Sequence, residues 1–399
     1  MDMEKIRIGV IGFGTVGAGV VETLLKNSGL MARRTGVELV LTKVADLDTT
    51  TDRGVALPPG ILGPDAMALI ESPEVDVVVE LVGGTTIARK FVSEALRRGK
   101  PVVTANKALL AFCGEELFQL ARENGTEIYF EASVGGGIPC IKALREGLVA
   151  NNVEAMYGIL NGTCNYILTR MENEGLPFDV VLKDAQKLGY AEANPSLDVD
   201  GFDTAHKACI LAALAFGFQP SVDQVQVEGI RNLAGEDVKY AADFGYRIKL
   251  LAVVARQGDE VEVGVHPTLV PFTHMRSNVN DAFNAAMVKG DMSDYTMYYG
   301  RGAGRQPTAS TVVGDIASKF YLRFMLADKP GAMGIVATAL GKHGVSLSAV
   351  SQKSPSEGNL PVPVVVLTHK AKSADVDAAI AEIKASGVVG EDPVKLRMI

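Results

Sequence analysis

The sequence predicts an α/β protein built from successive domains. Near the amino terminus an apolar strand, Lys5–Ile11, runs into a glycine-rich turn, after which strands and helices alternate. At the carboxyl end the apolar pattern predicts strand, helix, two strands, helix and strand. The length of 399 residues also exceeds what one hydrophobic core usually fills. We therefore expect a doubly wound parallel sheet in residues 1–140, an α+β domain in residues 141–319 and a βαββαβ module in residues 320–399.

The glycine-rich turn has the context of a dinucleotide-binding motif. Gly12, Gly14 and Gly17 match the pattern GxGxxG, a strand precedes them, and a helix is predicted at Thr15–Leu25. Free N–H groups and the helix dipole at such a turn can receive a pyrophosphate, whereas the alternative is a merely tight turn. We expect a Rossmann-like domain that binds NAD or NADP through Gly12, Phe13, Gly14, Thr15, Val16 and Gly17.

A second strand, Val37–Asp46, ends in an acidic residue that bears on the choice of cofactor. Asp46, or Asp48 just beyond it, can hydrogen-bond the adenosine ribose hydroxyls and repel a 2′-phosphate, which favours NAD. Arg53 lies close enough in sequence to reach a 2′-phosphate instead. The sequence therefore leaves both NAD and NADP open, with Asp46 as the expected ribose contact.

Lys107 stands where a doubly wound sheet binds its ligands. Further strands are predicted at Val75–Val82, Pro101–Thr104 and Thr126–Glu131, with a helix at Thr86–Arg98. Lys107 follows the strand Pro101–Thr104 at its carboxyl end. We expect it to contact both the nicotinamide and the substrate oxygen, while the alternative is an ordinary solvated lysine.

Charged residues crowd the glycine- and proline-punctuated stretch 185–207, which includes Glu192, Asp203 and Lys207. Asp203 and Lys207 are four residues apart on a predicted helix, so their side chains share one face. Such a carboxylate can hold and orient a catalytic ammonium group. The alternative is a solvated salt bridge of little energetic consequence.

Composition excludes several classes of function. The net charge is −8 and no basic cluster occurs, which argues against a nucleic-acid partner. The four cysteines are widely spaced and fit reduced thiols in a cytoplasmic setting. The opening residues and the absence of a long apolar run predict neither export nor membrane insertion.

Six segments occur in the order and spacing of one known family. The most specific is the series Ala185, Gly189-Tyr190-Ala191, Asn194-Pro195, Asp198-Val199, Gly201, Asp203 and Lys207. The others are the glycine turn and the segments Thr104–Lys107, Glu131–Pro139, Asn161–Tyr166 and Gly302–Gly304. The whole chain resembles homoserine dehydrogenases of the long bacterial type, which carry a carboxy-terminal ACT domain with a ferredoxin-like fold.

The resemblance implies reversible, NAD(P)H-dependent reduction of L-aspartate 4-semialdehyde to L-homoserine, in the biosynthesis of threonine, methionine and isoleucine. Aldehyde reduction needs a hydride donor at the carbonyl carbon and a proton or positive charge at the oxygen. Lys207 is the expected proton donor, and Asp203 would orient it and the reacting oxygen. Glu192 would bind the substrate amino group, and Asp198 is a supporting candidate whose alternative is a role in the loop's own hydrogen bonding.

The resemblance also implies contacts with the cofactor and with a sodium ion. Gly189 and Gly304 match positions whose backbone approaches the cofactor, and the alternative for both is a simple loop glycine. The glycine-rich segment would bind sodium, largely through backbone oxygens, and the alternative is a hinge between domains. The four expected sodium ligands are Glu131, Val134, Gly136 and Ile138.

The ACT-like module implies feedback by an amino acid, usually threonine in this family. The segment Gly344–Gln352 lacks the asparagine that often follows the first helix in amino-acid-binding ACT domains, so a role in assembly alone stays open. A homodimer or homotetramer is expected. Two other hypotheses are a different amino-acid dehydrogenase and a catalytically silent amino-acid sensor, and the presence of Lys107, Asp203 and Lys207 disfavours the sensor.

Overall fold

Three β-sheets organise the protein, and the predicted α/β fold class is confirmed. The structure is a computed structural model, which describes residues 4–35, 37–316, 319–327, 329–352, 361–368, 371 and 373–398. No helix within these ranges is long and apolar enough to cross a membrane.

The first sheet is the predicted doubly wound, Rossmann-like sheet. Its strands are β1 (Glu4–Ile11), β2 (Val37–Ala45), β3 (Leu62–Gly63), β4 (Val77–Glu80), β5 (Val102–Thr104) and β6 (Ile128–Tyr129). All pairs are parallel, in the order β3-β2-β1-β4-β5-β6. The connecting helices are α1 (Thr15–Lys26), α2 (Ser28–Thr35), α3 (Ala66–Glu71), α4 (Thr86–Arg97) and α5 (Lys107–Glu123). Because the strand order reverses between β1 and β4, a ligand crevice opens at their carboxyl ends.

The second sheet is mixed and supports the helices of the middle domain. Its strands are β7 (Val153–Ile159), β8 (Gln226–Val227), β9 (Tyr246–Gln257), β10 (Glu260–Pro271), β11 (Phe283–Gly290) and β12 (Asp294–Arg301). Their order is β12-β11-β7-β9-β10-β8, antiparallel except for the pair β10 and β8. The helices are α6 (Cys140–Lys142), α7 (Gly162–Glu174), α8 (Phe178–Lys187), α9 (Ser196–Val199), α10 (Phe202–Phe216), α11 (Gly235–Asp243) and α12 (Arg305–Ile316). Short 3-10 helices at Glu131–Ser133, Val222–Gln224 and Met275–Asn278 and a π-helix at Ala143–Gly147 complete the domain.

The third sheet forms the predicted βαββαβ module. Its elements are β13 (Lys319–Leu326), α13 (Ala332–Lys342), β14 (Leu347–Gln352), β15 (Val362–Thr368), α14 (Ser373–Ala385) and β16 (Val394–Met398). The strands pair antiparallel in the order β14-β15-β13-β16. Buried apolar side chains from these elements, such as Phe324, Val336 and Val364, form a core of their own. From its sequence, Ser354–Asn359 is expected to be a flexible loop of this module, and it lies outside the described residues.

Helix α12 leaves the middle domain and packs on the first sheet's helix α1. Ala309 and Val312 of α12 share a hydrophobic core with Val20 of α1. Gly19 permits the close approach, because a Cβ there would lie only 2.7 Å from the Arg305 carbonyl oxygen. The loop that precedes α12 is thereby brought to the cofactor side of the first sheet.

Candidate active site

The glycine turn between β1 and α1 excludes side chains at two positions and leaves the third open. Gly12 has a φ of +94°, and a Cβ there would lie 2.7 Å from the Leu81 carbonyl group. A Cβ on Gly17 would collide with the Gly12 carbonyl oxygen. At Gly14, by contrast, no described atom lies within 4 Å of a Cβ position. This combination holds the turn tight while exposing its backbone to a pyrophosphate, so the residues present fit a bound dinucleotide.

Helix α1 presents its amino terminus to the same space. It begins at Thr15, and no described side chain caps it at Gly14. The first N–H groups of the helix are therefore free to bind an anion, with the helix dipole adding to the attraction.

Asp46 lies at the end of β2, as predicted, and is fastened to the glycine turn. One carboxylate oxygen accepts the Phe13 N–H at 2.5 Å and the other accepts the Asp48 N–H at 2.9 Å. Asp48 forms a salt bridge with Arg53 at 2.8 Å. The Asp46 carboxylate retains lone pairs that can accept hydrogen bonds from ribose hydroxyls. The salt bridge with Asp48 partly neutralises the charge of the Arg53 guanidinium group.

Gly304 lies at the start of α12, close to the turn that carries the predicted sodium ligands. It has a φ of +120°, a conformation that favours glycine. The neighbouring Gly302 is packed against Gly136, where a Cβ would collide with the Gly302 carbonyl group. The Gly137 N–H donates to the Arg301 carbonyl oxygen at 3.0 Å. The two glycine clusters thus form a single close contact between the first and middle domains.

The structure brings Lys107, Asp203 and Lys207 together. Lys207 Nζ donates to Asp203 Oδ2 at 2.6 Å, and Lys107 Nζ lies 3.0 Å from Asp203 Oδ1. Lys107 is the first residue of α5, at the carboxyl end of β5, whereas the other two lie one turn apart on α10. Asp203 and Lys207 are only 4% and 8% exposed. The salt bridge between Asp203 and Lys207 is therefore buried, and the alternative of a solvated salt bridge is wrong.

Opposing effects set the ionisation of this cluster. Burial raises the pKa of the Asp203 carboxyl group, but the ammonium groups of Lys207 and Lys107 outweigh burial and hold that pKa below its usual range. The Asp203 carboxylate in turn raises the pKa of Lys107 against the effect of burial. Asp203 therefore stays a carboxylate between the two lysine side chains at neutral pH.

Asn161 organises the acidic residues of the site, a role that the sequence did not reveal. Its side-chain N–H group donates to Asp198 at 2.7 Å and to Asp203 at 2.9 Å. Its side-chain oxygen accepts the Cys164 N–H at 2.8 Å and so caps helix α7. The Leu160 carbonyl oxygen accepts a further hydrogen bond from Lys207 at 2.6 Å. An asparagine before a helix signals a cap in sequence, but its bridging of two carboxylates depends on tertiary contacts.

Glu80 is a second residue that sequence reasoning missed. It is fully buried at the end of β4, where it accepts hydrogen bonds from the Val82 N–H at 2.8 Å and the Thr104 hydroxyl at 2.7 Å. Burial raises the pKa of the Glu80 carboxyl group. Asn106 caps α5 through the Leu109 N–H at 3.1 Å. This buried network fixes the strand ends from which Lys107 projects.

Glu192 and Gly189 lie on the loop between α8 and α9. Glu192 is exposed, and the charge of its carboxylate contributes to the raised pKa of Lys107, which places it on the Lys107 side of the site. Gly189 has a φ of +77°. Asp198, half-buried in α9, has a pKa raised by burial. Asp200 instead pairs with Arg231 at 2.7 Å and therefore holds the loop together.

The predicted sodium ligands occupy the turn between the first sheet and α6. The Glu131 carboxylate accepts the N–H groups of Ile141 at 2.9 Å and Lys142 at 2.7 Å, and burial raises its pKa to about 7. The oxygens of Gly136 and Ile138 accept one hydrogen bond each, from the Thr311 hydroxyl at 2.7 Å and the Cys140 N–H at 2.8 Å. No group of three histidine, cysteine or acidic side chains in the described ranges could hold a metal ion. A cation bound at this turn would therefore depend largely on backbone oxygens.

Fold and site together define a nicotinamide-dependent dehydrogenase with a carboxy-terminal regulatory module. Comparison with known families agrees domain by domain. The NAD-binding domain of homoserine dehydrogenases matches residues 12–131, the homoserine dehydrogenase domain matches residues 139–317 and the ACT domain matches residues 320–387.

Individual relatives specify the family. The homoserine dehydrogenase of Pseudomonas aeruginosa is 40% identical over 432 aligned residues, which cover 99% of each chain. A crystal structure of a homoserine dehydrogenase from Thiobacillus denitrificans is 40% identical, with a TM-score of 0.76, and covers 100% of this chain and 99% of that one. A hyperthermophilic archaeal homoserine dehydrogenase in complex with NADPH is 28% identical, with a TM-score of 0.67, and covers 78% of this chain and 96% of that one. The chain belongs to the homoserine dehydrogenase family. It is an NAD(P)-dependent oxidoreductase that interconverts L-homoserine and L-aspartate 4-semialdehyde.

Proposed function

We propose that Lys207 is the proton donor to the aldehyde oxygen and that Asp203 fixes its position. The observation that carries this proposal is the buried contact of 2.6 Å between Lys207 Nζ and Asp203 Oδ2. Lys207 also donates to the Leu160 carbonyl oxygen, so two acceptors orient its ammonium group and leave its third N–H for substrate. General acid catalysis of this kind contributes about 10²–10⁴-fold to a rate.

Lys107 supplies the second positive charge at the reacting oxygen. It is one-third exposed and faces the site from the carboxyl end of β5, beside the expected nicotinamide position. When bound, the reduced nicotinamide supplies the hydride that the aldehyde carbon accepts. The negative charge that develops on the oxygen is stabilised by Lys107 and neutralised by the proton of Lys207. In homoserine oxidation the same lysine, deprotonated, receives the hydroxyl proton.

Glu192 binds the substrate amino group in this proposal. Its carboxylate is exposed on the α8–α9 loop and its charge reaches Lys107, so it can pair with an ammonium group held beside the reacting oxygen. A Glu192→Gln protein then has a raised KM for homoserine and unchanged affinity for the cofactor.

NAD is the preferred cofactor in this proposal, although the archaeal relative was solved with NADPH. The support is Asp46, whose carboxylate lies at the end of β2 and would repel a 2′-phosphate. Gly12, Gly14 and Gly17 bind the pyrophosphate, while the backbones of Gly189 and Gly304 approach the nicotinamide side. Exchange of Asp46 for serine is expected to lower kcat/KM for NAD more than for NADP. An equal loss for both would contradict the assignment.

A sodium ion on the turn 131–138 is a further part of the proposal. Glu131, Val134, Gly136 and Ile138 would hold it, because backbone oxygens that accept one hydrogen bond keep a second lone pair. The ion would stiffen the contact between the two glycine clusters. The midpoint temperature of thermal unfolding should be higher in sodium chloride than in N-methylglucamine chloride at equal ionic strength. An identical midpoint in both salts would contradict the proposed sodium site.

The ACT domain is proposed to bind an amino-acid effector, with threonine as the first candidate. Its βαββαβ fold and separate core are those of a regulatory module. A homodimer or homotetramer is the proposed assembly, and a cytoplasmic setting fits the four free cysteines, Cys113, Cys140, Cys164 and Cys209.

One assay tests the function and its cofactor and effector together. Purified protein is mixed with L-homoserine and either NAD or NADP, with and without threonine, and absorbance is followed at the reduced-nicotinamide band. We expect homoserine-dependent reduction, faster with NAD and slowed by threonine. Reduction with another amino acid but not with homoserine would overturn the substrate.

A further inference from the structure

A buried ammonium group lies outside the cluster of Lys107, Asp203 and Lys207. Lys249 projects from β9 and is only 1% exposed. Its Nζ donates to the Val279 carbonyl oxygen at 2.5 Å and to the side-chain oxygens of Asn165 and Asn280, each at 3.1 Å. An ammonium group this deeply buried is costly unless its hydrogen bonds are satisfied, and here three acceptors meet that requirement.

Asn165, which accepts one of the hydrogen bonds of Lys249, fastens the same loop. Its side-chain N–H group donates to the carbonyl oxygens of Val279, Asp281 and Phe283, at 2.9–3.1 Å. Asp281 has a φ of +54°, which is uncommon for a residue with a side chain. The loop 279–283 is therefore held in one shape by side chains from α7 and β9 rather than by its own preference.

The fastened loop supports the turn that carries Asn161. Gly162, the first residue of α7, packs so closely on the loop that a Cβ there would lie 2.9 Å from the Ala282 carbonyl oxygen. Asn161 immediately precedes it and donates to both Asp198 and Asp203. A continuous set of contacts thus runs from Lys249 through the loop 279–283 to the carboxylate of Asp203.

We propose that Lys249, with Asn165, is a positioning residue for the dehydrogenase reaction. Its ammonium group locks the loop 279–283 beneath the first turn of α7 and thereby sets the position of Asp203 and Lys207. The inference depends on the proposed roles of those two residues. Lys249 itself touches neither substrate nor cofactor.

The charges that act on Lys249 lie on α7, on β9 and in the loop 279–283. Glu172 of α7 and Asp281 of the loop favour its protonated form, while burial and Arg247 of β9 oppose it. Arg247 and Glu172 form a salt bridge with each other at 2.8 Å. Burial outweighs the two carboxylates and lowers the pKa of Lys249, while the three oxygens that it binds offset part of the cost of burying its charge.

Replacement by methionine tests the proposal, because Lys249→Met keeps the length of the side chain and removes the ammonium group. We expect kcat/KM for homoserine to fall at least about tenfold, since small misplacements of catalytic groups are costly. The dissociation constant of NADH, measured by fluorescence titration, should stay within about twofold, because the glycine turn lies on another domain. The titration also gives the concentration of protein that binds the cofactor. A loss of folded protein is thereby distinguished from a loss of catalysis. We further expect a displaced pH profile of kcat/KM, since the lysines around Asp203 change their spacing.

Three further proteins complete the design. Lys289→Met removes a lysine from strand β11 of the same sheet, where it pairs with Glu154 on the surface at 2.6 Å, and should keep wild-type kinetics. Asn280→Ala removes one acceptor of Lys249 and should lower kcat/KM by a smaller factor, again with unchanged cofactor affinity. This protein keeps the proposal testable if Lys249→Met does not fold. Lys207→Ala checks the catalytic assignment independently. Wild-type kinetics in folded Lys249→Met and Asn280→Ala, beside an inactive Lys207→Ala, would overturn the positioning role alone, whereas an active Lys207→Ala would overturn the proposed mechanism.

Discussion

Asp203 holds two ammonium groups, and its own charge and that of Lys207 are almost fully buried. Removing only its charge leaves Lys107 and Lys207 facing each other, and breaking a buried ion pair in this way costs about 3–5 kcal/mol. We expect Asp203→Asn to unfold at lower denaturant concentration and to lose about 10²-fold in kcat. The matched control is Asp223→Asn, which changes an exposed residue of the 3-10 helix Val222–Gln224. Stability and turnover equal to the wild type would show that the cluster is not coupled in this way.

The lowered pKa of Lys249 predicts how the free energy of unfolding changes with pH. Burial lowers its pKa to about 8, from 10.5 for an ordinary lysine. Between these values the unfolded chain binds more protons than the folded one, so this residue makes folding more favourable as pH rises. Relative to Lys249→Met, the wild type should gain up to roughly 3 kcal/mol in free energy of unfolding between pH 7.5 and pH 10.5. Urea unfolding at several pH values measures the difference, and a constant difference would contradict the lowered pKa.

At the scale of elements, the glycines of the turn between β1 and α1 have two different functions. Gly17 is needed for packing, since a side chain there would meet the Gly12 carbonyl oxygen, whereas Gly14 faces open space and has an ordinary φ of −70°. We expect Gly14→Ala to unfold at the wild-type temperature but to bind NADH at least about tenfold more weakly, because the backbone must approach the pyrophosphate. Gly17→Ala should lose both properties. A Gly14→Ala protein with normal NADH affinity would contradict the placement of the pyrophosphate.

An element can be predicted from the sequence when the pattern that specifies it lies within a short stretch of the chain. The first sheet, the carboxy-terminal module and the pair Asp203 and Lys207 were predicted, because strand patterns, glycine motifs and helical spacing act over short stretches. Strands β7 and β11 were missed, since their pairing in the middle of a mixed sheet depends on distant partners.

The same limit applied to single residues of the site. Asn161 and Glu80 act through hydrogen bonds to residues 24–42 positions away. Asn161 donates to Asp198 and Asp203, and Glu80 accepts from the Thr104 hydroxyl. Sequence spacing predicts a helix cap at Asn161, but it contains no signal for the side chains that a fold brings beside it.

At the scale of the whole molecule, the described residues form separate hydrophobic cores. The core of the ACT domain contains no residue before Leu322, and the cores of the preceding domains contain none after Ile316. A protein that ends at Ile316 should therefore fold and oxidise homoserine at a rate within about threefold of the full chain, but without a response to an amino-acid effector. Circular dichroism and turnover with and without threonine measure both properties. An unfolded truncated protein would show that the ACT domain is part of the catalytic fold.

Turnover of Lys207→Ala tests the central claim most directly. Initial rates of NAD reduction are measured at saturating homoserine for the wild type, for Lys207→Ala and for Lys239→Ala, which removes an exposed lysine of α11. We expect kcat to fall about 10³-fold in Lys207→Ala while the affinity for NADH is kept, and Lys239→Ala to match the wild type. Full turnover by a folded Lys207→Ala protein would contradict the assignment of this lysine as the group that moves the proton.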